Sequence, residues 1–170
     1  MLQRPDPSEY NPYFARYIDL VPEGDVAATL ERQMESTAAL LRGMLPEKAT
    51  YRYAEGKWSV SEVVGHMADT ERVMAYRLLR IARGDRTPLA GFDQDSFVRN
   101  AAFDAVPPDA LIDEYMAVRR STLSLFRTVP PDAWTNAGTA NNAPVTARAL
   151  AYVIAGHELH HANILRETYL

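Results

Sequence analysis

Four stretches of about twenty residues carry apolar side chains at helical spacing, each bounded by cap residues, prolines or glycines. A chain patterned this way has to bury several amphipathic faces against one another, which points to a helical bundle. The first stretch runs from Asp25 to Leu45. Asp25 suits an N-cap, Leu30, Met34, Leu41 and Leu45 form one stripe, and Pro46 is expected to end the helix. The second opens on Ser59-Val60-Ser61-Glu62, a capping box flanked by Trp58 and Val63 as a hydrophobic staple. Its stripe is Val60, Val64, Met67, Met74, Leu78 and Ile81, and Gly84 ends it. The third runs from Pro108 to Thr128 with Leu111, Tyr115, Val118, Thr122 and Leu125 in rhythm, closed by Pro130 and Pro131. The fourth starts at Thr146 and runs to near the C-terminus.

Between these segments the signals are weaker. No stretch shows the strict alternation of a strand between turn residues. Thr50 to Trp58 reads as a short extended piece, and Arg86 to Val106 as a long connection with a short helix near Gln94 to Ala102. Connections this long are often functional. The echo Val-Pro-Pro-Asp-Ala at 106–110 and 129–133 is not a duplication, because its flanks do not repeat. The expected fold is therefore all-α: a four-helix bundle with a long connection between helices 2 and 3. The 170 residues fit one domain, with residues 1–22 as an N-terminal extension. Unequal loops leave the order of helices around the bundle open.

Composition narrows the chemistry. The absence of cysteine excludes disulfides, thiolate nucleophiles, iron–sulfur ligation and Cys-based zinc sites, so any metal must be held by nitrogen or oxygen. The formal net charge of −4 argues against nucleic acid or anionic membranes as partners. Arg77, Arg80 and Arg83 recur at three-residue steps, but such a stripe reads as a solvated face. The longest non-polar run, Ala149 to Gly156, is too short to cross a bilayer. The first twelve residues carry three prolines and no apolar core, unlike a secretory leader, so a cytoplasmic location is expected.

The four histidines are His66, His157, His160 and His161. On the fourth helix Leu150, Ile154, His157, His161, Ile164 and Thr168 follow one another at steps of four and three, the seam that faces a bundle core. His157 and His161 thus point inward one turn apart, the spacing at which a helix chelates a divalent ion. A His157/His160 pair is also possible at a step of three, although the seam favours His161. His66, on the flank of the second helix's apolar face, can supply a third ligand and leave an open coordination position. A single buried histidine is usually a hydrogen-bonded core residue; three on core faces are harder to explain that way. Gly65 and Gly156 each precede an inward histidine, and a helical glycine costs up to about 1 kcal/mol relative to alanine. Either the metal site or close helix packing needs that space. Asp69 and Glu62, at i+3 and i−4 from His66, and His160 are candidates to orient the ligand rings. Otherwise these residues, with Glu158, are solvated helix surface.

The sequence resembles the DinB-like superfamily of bacterial four-helix metalloproteins, which holds YfiT-type hydrolases and thiol-dependent transferases. The matching residues are Gly56-Lys57-Trp58-Ser59, Glu62-Val63-Val64-Gly65-His66, Asp69-Thr70-Glu71-Arg72, Arg77, Gly84-Asp85 and Ala155-Gly156-His157-Glu158-Leu159-His160-His161. After His161 the chain departs from many relatives, carrying Ala162 and Asn163. The resemblance implies one divalent ion, zinc or nickel, on His66, His157 and His161, a small-molecule substrate and a homodimer. Three neutral ligands leave the ion its double charge, so it can acidify water or bind a thiolate. The expected activity is that of a hydrolase or a thiol S-transferase using an external low-molecular-weight thiol such as bacillithiol or mycothiol. The alternative is a non-catalytic metal-binding stress-response module.

Overall fold

The helix starts form where the caps place them. In the computed structural model, which describes residues 2–169, the elements are α1 (Ala15–Ile18), α2 (Val26–Lys48), α3 (Val60–Ala82), α4 (Gln94–Ala101), α5 (Pro108–Phe126), strands β1 (Ala137–Ala140) and β2 (Ala143–Thr146), and α6 (Ala147–Ile164), followed by a π-helical turn at Leu165–Tyr169. Ser59 Oγ accepts from the Glu62 amide at 3.0 Å, and the Glu62 carboxylate accepts from the Ser59 amide at 2.8 Å, closing the capping box. Asp25 caps α2 and Thr146 caps α6 through their side-chain oxygens.

Three local expectations are corrected. Pro46 does not end α2, which continues to Lys48. So near a helix end the proline removes a single backbone bond, and the last turn is still held by Ala49 N–H donating to the Leu45 carbonyl at 3.1 Å. Residues 50–58 form turns and bends, with Gly56 at φ 74°, and no strand. A β-hairpin also exists where none was expected. β1 and β2 pair antiparallel from Ala137↔Thr146 to Ala140↔Ala143. Asn141 and Asn142 sit at φ 50° and 60° between them, the left-handed pair that a tight hairpin turn requires. The hairpin residues are mostly small, so no apolar alternation announced them. Leu89 bonds to the hairpin through Thr139 O and Asn141 N, both at 2.9 Å, which pins the long connection after α3.

The wiring is not a simple up-and-down circuit. α3 packs between α5 and α6, and α2 packs between the same two helices, while α2 and α3 barely meet. α2 and α3 therefore sit across the bundle from each other, as do α5 and α6, which the connections 49–59 and 127–146 permit, while 83–107 joins the neighbours α3 and α5. Two apolar clusters fill the bundle, one around Leu30, Leu78, Ile81 and Leu150, the other around Leu41, Leu45, Leu111 and Leu165. Between them each long helix contributes buried polar residues: Gln33 and Thr37 from α2, His66, Thr70 and Glu71 from α3, Arg119 from α5, and His157, Glu158 and His161 from α6. The bundle has a polar waist.

The two glycines serve close packing. A Cβ on Gly156 would lie 2.0 Å from the Tyr17 carbonyl oxygen, because α1 lies directly on the α6 backbone. A Cβ on Gly65 would lie 2.4 Å from the Phe103 ring. Backbone cannot turn aside as a ring can. Gly156→Ala is therefore expected to lower stability by about 1–3 kcal/mol, as overpacking does, while Gly65→Ala costs less because Phe103 can rotate and alanine gains helix propensity. Urea denaturation of the two variants checks the order.

Candidate metal centre

α3 and α6 pack face to face and bring three imidazoles together. His66 Nε2 lies 3.0 Å from His157 Nε2, which lies 3.1 Å from His161 Nε2. Tetrahedral ligation at zinc–nitrogen distances of about 2.0–2.1 Å separates ligand atoms by about 3.3–3.4 Å; both of these separations are close to that, and the three ligand atoms all lie within 4.8 Å of one another. The three residues are only 3%, 6% and 9% exposed. Burial pushes the His66 imidazole down to about 4, with the His160 charge adding to the shift. Burial first, and the neighbouring histidines second, hold His157 and His161 well below the usual range. All three are neutral at pH 7, the form that ligates metal. His157 Nε2 faces both other nitrogens, and a cation among them would satisfy all three lone pairs together.

Other side chains set the ring orientations. Thr70 Oγ1 is 3.4 Å from His66 Nδ1. Trp58 packs on the His66 ring at 4.6 Å between centroids, and Tyr17 meets the His157 ring edge-on at 5.3 Å. Of the three residues expected to support the ligands, half-buried His160 touches the triad, its ring 5.0 Å from that of His161. Glu62 is committed to its cap and to Arg52 at 2.5 Å, and Asp69 to Arg72 at 3.4 Å. Neither hydrogen-bonds a histidine ring among the described residues.

Beside the triad lies a network that sequence reasoning missed. Arg119, fully buried, donates to both carboxylate oxygens of Glu71 at 2.8 Å and pairs with Glu158. Glu158 also accepts from Thr37 at 2.6 Å and from the Tyr115 hydroxyl at 2.8 Å. Glu158 is thus not solvated surface. It lies four residues after Ile154 and three before His161, so its spacing carried the signal; so did that of Arg119, four after Tyr115 and three before Thr122. A void of about 10 Å³ is lined by Glu71, Glu158 and His157, so the network abuts the triad.

A larger cavity of about 460 Å³ opens on the other side of His157. Thr70 and Tyr17 line it near the triad, and Arg77, Phe92 and Asn141 line it further along.

A bundle with three convergent neutral imidazoles, one of them (His157) lining a cavity, defines a four-helix protein with a candidate metal centre. The sequence matches the DinB superfamily over residues 29–165, and the chain belongs to that superfamily. Its fold is similar to that of YfiT from Bacillus subtilis, described as a probable metal-dependent hydrolase with an unusual four-helix bundle topology. That likeness has a TM-score of 0.72 at 17% identity, covering 94% of this chain and 91% of YfiT. It is also similar to the mycothiol-dependent maleylpyruvate isomerase, with a TM-score of 0.69 at 18% identity, covering 86% of this chain and 61% of that one. At these identities the likeness is one of fold. Compared by sequence with curated proteins, the chain finds no significant match. Among the described residues no helix is long and apolar enough to cross a membrane.

Proposed function

We propose that this protein is a metal-dependent enzyme. It holds one divalent ion, zinc or nickel, on His66, His157 and His161, and acts on a small molecule in the adjacent cavity. The observation that carries this reading is the convergence of three neutral imidazoles, with His157 Nε2 within 3.0 and 3.1 Å of the other two and His157 itself lining that cavity. When bound, the ion would supply a Lewis acid that activates water or a low-molecular-weight thiol. The reaction is accordingly hydrolysis or thiol S-transfer, and with no cysteine in the chain the thiol comes from outside. The named activities of the two similar structures, a hydrolase and a mycothiol-dependent enzyme, support this pair of chemistries.

The chain's own residues prepare the site. Burial keeps the imidazoles deprotonated, Thr70 holds the His66 ring, and Tyr17 backs that of His157. The ion pair of Glu158 with Arg119 anchors α6 at the residue next to His157. The network sets two carboxylates against one guanidinium, a formal surplus of negative charge beside the triad that favours a cation there. A non-catalytic stress-response module that only holds a metal would need no substrate space, and the cavity therefore favours turnover.

Elemental mass spectrometry of untagged protein tests the reading. About one ion per chain is expected, lost in both His66→Ala and His161→Ala. The absence of stoichiometric metal after refilling with zinc or nickel overturns it. Assaying the loaded protein for ester hydrolysis, and for thiol consumption with an electrophile, separates the two chemistries.

A further inference from the structure

We propose that Arg77 makes one end of the cavity a carboxylate-binding site, so that the molecule bound there is a small organic acid. This rests on the reading of the histidine triad as a site that acts in this cavity, and it names the class of substrate.

Arg77 follows His66 by eleven residues, three helical turns, and so lies on the same side of α3, about 16 Å further along its axis. Thr70 and Met74 lie between them and line the cavity, which therefore runs along α3 from the triad to the guanidinium. A long helical side chain leans toward the N-terminus of its helix, here toward the triad, and Arg77 Nη1 indeed reaches back to Met74 Sδ at 3.7 Å.

Arg77 is 3% exposed. Its guanidinium remains charged at neutral pH, yet among the described residues no carboxylate lies within ion-pair distance of it. The contrast is Arg119, fully buried and met by two carboxylates. The protein partners of Arg77 are the Ala90 carbonyl at 2.7 Å, the methionine sulfur, and the Phe92 ring, whose centroid lies 5.8 Å from the guanidinium carbon; none carries a negative charge. The first two use two of five N–H donors. Asp93 also lines the cavity, but it is exposed and its carboxylate caps α4, accepting from Asp95 N at 3.0 Å and Ser96 N at 3.3 Å. A buried charge without a counter-ion is costly, and binding one carbonyl does not need a guanidinium. A ligand anion is the missing partner. One planar fork matches one carboxylate bidentately. No lysine and no second arginine line the cavity, so the second negative charge of a phosphate would go unmatched, whereas the single charge of a carboxylate is met. Phe14, Phe92 and Val153 supply apolar wall for the rest of the acid.

The test titrates monocarboxylates from acetate to 3-phenylpropionate, and their neutral amides, into zinc-loaded and chelator-treated protein, followed by NMR. The best acid is expected to bind at least about tenfold more tightly than its amide in both forms. In Arg77→Gln that preference falls below about twofold while amide affinity holds. In His66→Ala it persists, so loss of the metal reading and loss of this one give different results. Equal affinity for acid and amide in wild-type protein overturns the proposal. So does a preference confined to the zinc-loaded form, one that survives in Arg77→Gln, or no binding by any acid. Should Arg77→Gln fail to fold, Arg77→Lys, which keeps the charge without the fork, is expected to lower the ratio, and the wild-type comparison stands without any variant.

Discussion

Arg119→Met is expected to cost about 3–5 kcal/mol of folding stability, the range found when one member of a buried ionic network is removed. The reason lies in what remains behind. Glu71 and Glu158 are 5% and 3% exposed, and without the guanidinium two carboxylates would face each other in the bundle waist. Arg119 Nη1 also donates to the Leu30 carbonyl at 3.1 Å, so the residue ties α5 to α2, α3 and α6 together. Arg119→Lys is expected to be costly too, because an ammonium cannot reproduce the two parallel bonds to Glu71. The triple variant Glu71→Gln, Arg119→Met, Glu158→Gln should recover much of the loss, because it removes the stranded charges with their partner. Urea denaturation measures all three. A cost below about 1 kcal/mol for Arg119→Met would show that the waist is not held this way.

The second large effect is metal-linked and pH-dependent. Zinc at a thousandfold excess over its dissociation constant should stabilise the fold by about 4 kcal/mol, provided the unfolded chain does not bind it. Chelation should remove that increment, and His66→Ala should abolish it. Acid acts in the same place. Folded His66 titrates at about 4, below the ordinary value of 6.5, so the folded state binds fewer protons than the unfolded state between those values. Its contribution is present above pH 6.5 and is lost as pH falls toward 4; for His66 alone the loss is about 3 kcal/mol. His157 and His161 shift in the same direction. Thermal unfolding from pH 7.5 to 4.5 should therefore show falling stability in metal-free protein, a fall displaced to lower pH by added zinc and shallower in His66→Ala. A curve unchanged by His66→Ala would rule out His66 as its source.

Much of this protein is written in local patterns. The capping box at Ser59 and Glu62, the caps at Asp25 and Thr146, and the seam through Ile154, His157 and His161 need only neighbours a few residues away, so helix positions and inward histidines follow from spacing. The hairpin was not legible because its residues are small and its turn is Asn-Asn without glycine. Glu158 was misread because charge normally marks solvent, although its spacing placed it on the buried stripe. The order of helices around the bundle, the partners of Arg119, and the cavity joining His157 to Arg77 depend on residues distant along the chain. Periodicity says which face of a helix turns inward but not which helix it meets. Long connections let α2 and α3, and α5 and α6, lie across the bundle, so packing alone sets two carboxylates on Arg119 and leaves Arg77 without one.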